Sequence, residues 1–265
     1  YDALDPTQLT AGLMSRRLAG LFSAGQLNGT SGYEEAAAQG LVAGVNAARF
    51  AMGLEPLLLR RDQGYLGVLL DDLVRWGINE PYRMLTSRNE YRLLHRQDNA
   101  QERFSPIGHA LGLVSSEICE GVRSSRERVV AEVARLERVR VQGQSASKLL
   151  CRPGMRYQDL VAHVGAALLP LSTAEQQRVE IEVKYAAYIE RARRDLEARA
   201  HYETLSLAAL DFARVPGLSN EGREALSRQR PASLAAAARV RGIRDSDLST
   251  LLVHLKARAV SRETV

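Results

Sequence analysis

The 265-residue chain carries 36 Lys+Arg against 31 Asp+Glu, a formal net charge of +5, and 45% of its residues are hydrophobic. A chain of this size and composition buries a sizeable core as one large or two smaller domains, which excludes extended disorder. No apolar run approaches the ~18–20 residues of a membrane span. The opening Tyr1-Asp2-Ala3-Leu4-Asp5-Pro6 lacks the basic and apolar regions of a secretion signal. With no initiator Met, the sequence reads as starting inside a longer protein.

In chain order, Leu21-Phe22-Ser23-Ala24 is the one buried-strand candidate, and it runs into the irregular stretch Gly25-Gln26-Leu27-Asn28-Gly29-Thr30-Ser31-Gly32-Tyr33. Helix is expected from about Glu34 to about Met52, with Ala36, Gly40, Gly44 and Ala48 forming a smooth face that permits close approach of backbone or ligand. A loop feeding a helix N-terminus presents unpaired N–H groups and favours an anion, although Glu34 and Glu35 already place acid there. A tight turn before a packed helix and an anion cradle both fit these residues. No G-x-G-x-x-G precedes the loop, so it does not encode a complete dinucleotide site.

From Leu57 onward the pattern is helical. Gly64 to Trp76 reads as a helix stopped by Gly77. On it, Asp71-Asp72 is expected to lie on an exposed surface. Ser87-Arg88-Asn89-Glu90 suggests a capping box opening a helix through His95 or Arg96. That helix would align Arg88, Arg92 and Arg96 on one face about 6 Å apart, near the spacing of successive phosphates, with Tyr82 and Tyr91 close enough to stack on bases. An ordinary solvated arginine face is the alternative. Ile118, Val122, Val129, Val133 and Leu136 hold a helical period, and Gly143-Gln144-Ser145-Ala146-Ser147 reads as a loop or weak linker. Ser172-Thr173-Ala174-Glu175 is a second capping box, followed by a long helix with an apolar face of Ile181, Tyr185, Tyr188, Ile189, Ala192 and Leu196. Glu180 with Lys184 and Glu190 with Arg194 supply i,i+4 pairs. From Tyr202 to Val265 short helices are separated by Pro216-Gly217, Pro231 and Gly242, with turn-then-helix entries at Pro216–Glu221 and Arg241–Asp245.

All basic residues but Lys148, Lys184 and Lys256 are arginine. Guanidinium forks match phosphates, but a uniform replacement of Lys by Arg gives the same composition. Cys119 and Cys151 form no C-x-x-C and suit a reducing cytoplasm. The five histidines lack ligand spacing, and no metal site is expected.

Ala24-Gly25-Gln26-Leu27-Asn28-Gly29-Thr30-Ser31-Gly32-Tyr33-Glu34-Glu35-Ala36-Ala37-Ala38-Gln39-Gly40 resembles the second signature of the MnmG (GidA) family. The likeness continues through Val42–Ala48, Tyr65–Leu73, Glu80–Met84, Thr86-Ser87-Arg88, Glu90–Leu93, Val183-Lys184-Tyr185 and Val215–Ser219, so it spans nearly the whole chain. Asn89 stands where Ala is usual in the family, and Gln101 where an acid is usual. Neither cysteine falls in a family motif, and no catalytic residue is assigned.

The resemblance implies a mainly α fold: a small α/β piece closing an FAD-binding domain (residues 1–56), a helical tRNA-binding region (57–200) and a C-terminal helical subdomain for partner or tRNA docking (201–265). It implies FAD contacts at Gln26 above all, with Gly25, Asn28, Gly29, Thr30, Gly32, Tyr33 and Glu34 lining the same pocket. Arg83, Arg88, Arg92 and Arg96 become tRNA contacts. The implied activity is cytoplasmic installation of carboxymethylaminomethyl at carbon 5 of the wobble uridine of tRNA, with the GTPase MnmE, NADH-reduced FAD and methylenetetrahydrofolate. The implied assembly is a homodimer within a heterotetramer, with no membrane. The chain alone, lacking most of the flavin site, is expected to be inactive. The alternatives are a cofactor-free helical adaptor for RNA or protein, or a relative of the folate-dependent tRNA methyltransferases.

Overall fold

In the computed structural model, which describes residues 2–78, 80–238, 240 and 242–263, the opening of the chain is irregular. Asp5 caps a short 3-10 turn, Pro6–Gln8, by accepting from the amide of Thr7 at 3.0 Å. The expected strand at Leu21–Ala24 does not form. Phe22 makes only an isolated antiparallel bridge to Met14, and Leu21 is exposed. Next to that bridge Leu13 adopts φ +67°, outside the extended region, so the pairing of this segment is interrupted there. Among the described residues the only sheet is a two-stranded one farther along, so the opening contributes bridges in place of a strand.

Helix α1 (Tyr33–Ala51) buries Glu35, Gln39, Val42, Ala43 and Asn46. Its Gly40 and Gly44 point away: a Cβ at either meets nothing within 4 Å, so the close approach expected of that face is found at Ala36, against which Gly25 packs. Helix α2 (Tyr65–Trp76) lies between Gly64 and Gly77 as expected, with Leu70 packed against Leu9, Leu13, Val42 and Ala43. Gly67 is required because a Cβ there would lie 1.9 Å from the carbonyl oxygen of Arg60.

Helices α3 (Ala100–Ala110) and α4 (Ser116–Arg138) follow, the latter capped by the Ser115 hydroxyl. Residues 140–150 are ordered structure in place of the expected linker. Strands β1 (Arg140–Val141) and β2 (Gln144–Ser145) pair through a turn with Gln142 and Gly143 both at positive φ, the preferred geometry for a two-residue hairpin. Ser145 then caps α5 (Ala146–Leu150), and Ala146 is wholly buried. Helix α6 (Tyr157–Val164) and the capping-box helix α7 (Thr173–Lys184) complete a core of Val129, Leu136, Leu150, Leu160, Val179 and Val183. The helix after Ser172 is not continuous: Tyr185 (φ −104°, ψ 9°) separates α7 from α8 (Ala186–Thr204). Of the expected apolar face, Tyr185 and Tyr188 are exposed, whereas Val179, Val183 and Ile189 are the buried positions.

The chain divides into two compact units, Tyr1–Glu190 and Arg191–Val265. In the second, α9 (Asn220–Gln229), α10 (Leu234–Ala238) and α11 (Asp245–Glu263) enclose Leu207, Phe212, Val215, Leu226, Leu234 and Leu251. Ser219 caps α9, and the buried Asp247 carboxylate accepts from its amide and hydroxyl. Arg241 of the second turn-then-helix entry lies outside the described residues.

Candidate cofactor loop and nucleic-acid interface

Gly25–Asn28 forms a 3-10 turn, Gly29 follows at φ +81°, and Gly32 leads into α1 without a side-chain cap. One buried side chain, Gln39, organises this loop from the helix below. Its Oε1 accepts from Gly25 N (3.2 Å) and Asn28 Nδ2 (2.9 Å), and its Nε2 donates to Thr30 Oγ1 (2.6 Å) and the Glu35 carbonyl (3.1 Å). The Ser23 hydroxyl donates to Asn28 Oδ1 at 2.6 Å, and Thr30 Oγ1 donates to the Gly25 carbonyl at 2.9 Å. Asn28 and Thr30 are therefore wholly buried and occupied by the chain's own groups. Sequence reasoning passes over Gln39; the available signal is one of the two amides, with Asn46, among the alanines and glycines of α1, four residues after Glu35.

Gln26, Tyr33 (92% exposed) and Glu34 face outward. The glycines beside them serve internal packing: a Cβ on Gly29 would lie 1.8 Å from Ile78 Cδ1, and one on Gly32 would lie 1.8 Å from Glu35 Oε2. Glu35 is buried. Its Oε1 accepts from the Met84 amide at 2.9 Å and lies 3.4 Å from Arg83 Nε, while its Oε2 is buried without a hydrogen-bond partner. The Met84 hydrogen bond, opposed by burial and reinforced by Arg83, holds this carboxyl below the usual carboxylate range. The helix end therefore carries a negative charge of its own, which disfavours a phosphate. Gln26 leaves its side-chain amide exposed and α1 opens without a side-chain cap, an end better suited to an uncharged or delocalised acceptor than to a phosphate.

The segment after α2 is anchored on this loop. Tyr82 N donates to the Gly29 carbonyl at 2.8 Å, and Thr30 and Tyr82 form a parallel bridge. The expected helix at 87–96 does not form; Thr86–Arg88 is a 3-10 turn followed by further turns. The supposed capping-box acid, Glu90, is drawn away by Arg61, whose Nε and Nη2 donate to its two carboxylate oxygens at 2.9 and 2.8 Å. The same guanidinium ion-pairs with Asp71 (3.2 Å) and Asp72 (2.5 Å). This acid pair, expected on an exposed surface, is the floor of a charged cluster, with Asp72 buried. Burial alone would weaken the Arg61 charge, but Glu90 and Asp72 outweigh it and raise its pKa. The Tyr82 hydroxyl donates to Asp72 Oδ2 at 2.8 Å, and burial together with that carboxylate raises the phenol's pKa.

The four arginines thus do not form one helical stripe. Arg83 is 61% and Arg88 42% exposed, and Arg92 is exposed as well. Arg96 turns inward: its Nη2 contacts Glu182 at 2.6 Å, its Nε contacts Asp98 at 3.0 Å, and its Nη1 donates to the Leu93 carbonyl. Arg178 extends this lattice to Glu182, Asp98 and Glu102.

Three family models match the chain in succession. They are Glucose inhibited division protein A over residues 1–55, the tRNA modifying enzyme MnmG/GidA C-terminal helical domain over 115–193, and the tRNA modifying enzyme MnmG/GidA C-terminal helical bundle over 195–264. A Thermus thermophilus protein named tRNA uridine 5-carboxymethylaminomethyl modification enzyme MnmG is 55% identical over 257 residues, covering 97% of this chain and 43% of that protein. A Deinococcus radiodurans protein of the same name is 52% identical over 261 residues, covering 98% and 43%. The structure of Aquifex aeolicus GidA matches with a TM-score of 0.77 at 38% identity, covering 96% of this chain and 43% of that one. The chain belongs to the MnmG/GidA family.

It spans less than half the length of these MnmG and GidA relatives, and the matched parts include the family's C-terminal helical domain and bundle. Asn89 has a local role. Its Oδ1 accepts from Tyr91 N at 2.8 Å, and its Nδ2 donates to His95 Nδ1 at 3.0 Å, while His95 Nε2 donates to the Asp62 carbonyl at 2.9 Å. That arrangement assigns His95 as neutral, in keeping with the pKa that burial lowers. Cys119 and Cys151 are unpaired by disulfide. Among the described residues no helix is long and apolar enough to cross a membrane.

Proposed function

We propose that this chain is the C-terminal part of a cytoplasmic, FAD-dependent enzyme. With the GTPase MnmE it installs the carboxymethylaminomethyl group at carbon 5 of the wobble uridine of tRNA, using NADH and methylenetetrahydrofolate. Residues 1–56 close the flavin domain, 57–200 carry tRNA contacts, and 201–265 dock the partner or tRNA; the whole works as a homodimer within a heterotetramer. The names carried by the T. thermophilus and D. radiodurans relatives support the reaction class.

The observation that carries the reading is the hydrogen-bonded junction between loop 25–33 and the segment beginning at Tyr82. It joins outward-facing Gln26 and the exposed Arg83, Arg88 and Arg92 to one frame. A cofactor acting on one base of a folded RNA needs such a frame, because ring and RNA backbone must keep a fixed relation. Bound there, the flavin supplies the redox step. Gln26 orients the ring through its amide, the buried Asn28, Thr30 and Gln39 hold the loop that presents it, and the arginines receive phosphates. On this reading the chain alone does not turn over.

The test is the affinity of the full-length protein for unmodified tRNA as a function of salt. Replacing Arg83, Arg88 and Arg92 together by Ala is expected to flatten the log–log slope by about three. An unchanged slope removes these residues from the interface. Separately, Gln26→Leu is expected to lower flavin retention, and full retention removes Gln26 from the flavin site.

A further inference from the structure

Arg88 is held from three directions while nearly half of its side chain remains in solvent. Its guanidinium carbon lies 4.7 Å from the centroid of the Tyr82 ring. Its Nη1 stands 3.8 Å from Asp72 Oδ2, close enough for attraction but too far for a hydrogen bond, so this contact leaves its N–H donors available. Its backbone carbonyl accepts from Arg61 Nη2 at 3.1 Å. The groups that hold it are themselves fixed: Tyr82 is buried, its hydroxyl donates to Asp72 at 2.8 Å, and Asp72 also receives Arg61. A flexible arginine loses rotamer entropy when it binds a phosphate, and a guanidinium already stacked on an aromatic face loses less.

We propose that Tyr82, with Asp72 and Arg61 behind it, is a positioning residue that orients the Arg88 fork toward a backbone phosphate of the bound RNA. This deepens the tRNA reading given above and rests on it. Tyr82 acts through Arg88: its ring supports the guanidinium, and its hydroxyl engages the Asp72 oxygen that stands 3.8 Å from Arg88 Nη1, so that oxygen is already occupied. The recognised group is a phosphodiester, met edge-on by the two outer N–H donors.

The test is a double-mutant cycle in the full-length protein, read as affinity for an unmodified tRNA transcript. Tyr82→Leu is expected to weaken binding about fivefold and Tyr82→Phe about twofold, and both losses vanish in an Arg88→Ala background. Arg88→Lys keeps the charge but not the planar fork, so it should keep the parent salt slope and still bind more weakly. If Tyr82→Leu fails to fold, as judged by circular dichroism, the Tyr82→Phe cycle and Arg88→Lys decide. Equal losses from the Tyr82 variants in both backgrounds, or full affinity in Arg88→Lys, overturn the positioning role alone. Parent affinity in Arg88→Ala overturns the tRNA assignment at Arg88 and the positioning role together.

Discussion

The amide of Tyr82 donates a 2.8 Å hydrogen bond to the carbonyl of Gly29, and two residues on, the amide of Met84 donates to Glu35 at 2.9 Å. Two alternate N–H groups of one segment therefore end on the loop and first turn that lead into α1. Gly29 makes the first contact possible. At φ +81° an L side chain is strained, and its Cβ would overlap Ile78 Cδ1. Because that methyl is the far end of a flexible chain it can yield, so Gly29→Ala is expected to cost about 1–2 kcal/mol, chiefly from the left-handed backbone. Urea unfolding monitored by circular dichroism measures it, and an unchanged midpoint counts against the junction as drawn.

Gln39 carries a larger stake. Removing its amide leaves Gly25 N and Asn28 Nδ2 with one acceptor fewer in a buried setting, and Thr30 Oγ1 loses its donor. Gln39→Ala is expected to destabilise the protein by about 3 kcal/mol. It should also raise amide exchange across residues 25–30, where hydrogen exchange by mass spectrometry reads local opening.

The arginines should separate into two classes. Arg83→Ala, Arg88→Ala and Arg92→Ala each lower the salt dependence of tRNA affinity by about one phosphate equivalent; Arg92→Ala leaves the melting temperature nearly unchanged, while Arg83→Ala also lowers it modestly because it removes the cation 3.4 Å from the buried Glu35 carboxylate. Arg96→Ala leaves the salt slope unchanged and lowers the melting temperature, because it takes from the partly buried Glu182 and Asp98 carboxylates one of the two guanidiniums they face and leaves them Arg178 alone. Melting curves beside salt titrations of the four single variants distinguish these outcomes.

Acid titration singles out Glu175. Burial raises its pKa, but the Ser125 hydroxyl, the Ser172 amide and Arg128 outweigh that and bring it down to about 2 from an ordinary 4.5. The folded state thus binds fewer protons than the unfolded state between these values. The stability Glu175 contributes is full above pH 4.5 and fades as pH falls toward 2. Glu175→Gln keeps an acceptor for the Ser172 amide but lacks the charge. The gap in urea midpoint between parent and variant should be widest near neutrality and close steadily below the ordinary carboxylate pKa; a gap independent of pH refutes the assignment.

What is readable in the sequence is what neighbours decide. The Ser172 capping box, the Gly77 stop and the bounds of α2 depend on residues within one or two turns, and each stands where local chemistry places it. The segment 87–96 misleads because Glu90 has a competing partner 29 residues earlier, at Arg61, and that partner offers a bidentate ion pair in place of one cap. Asp71-Asp72 misleads for the same reason. In the candidate site the sequence points to the loop and the exposed arginines but not to Gln39, whose role depends on four partners that only the folded loop assembles. The break at Tyr185 has no Pro or Gly to announce it, so the apolar face reads one helix too far.

The interior lattice of Arg96, Arg178, Glu182, Asp98 and Glu102 has a practical bearing on how this protein can be handled. These side chains are between 11% and 27% exposed, and ions shield such sheltered pairs far less than they shield charges standing in water. Moderate ionic strength should therefore wash nucleic acid off the outer surface during purification while the helices beneath stay locked together.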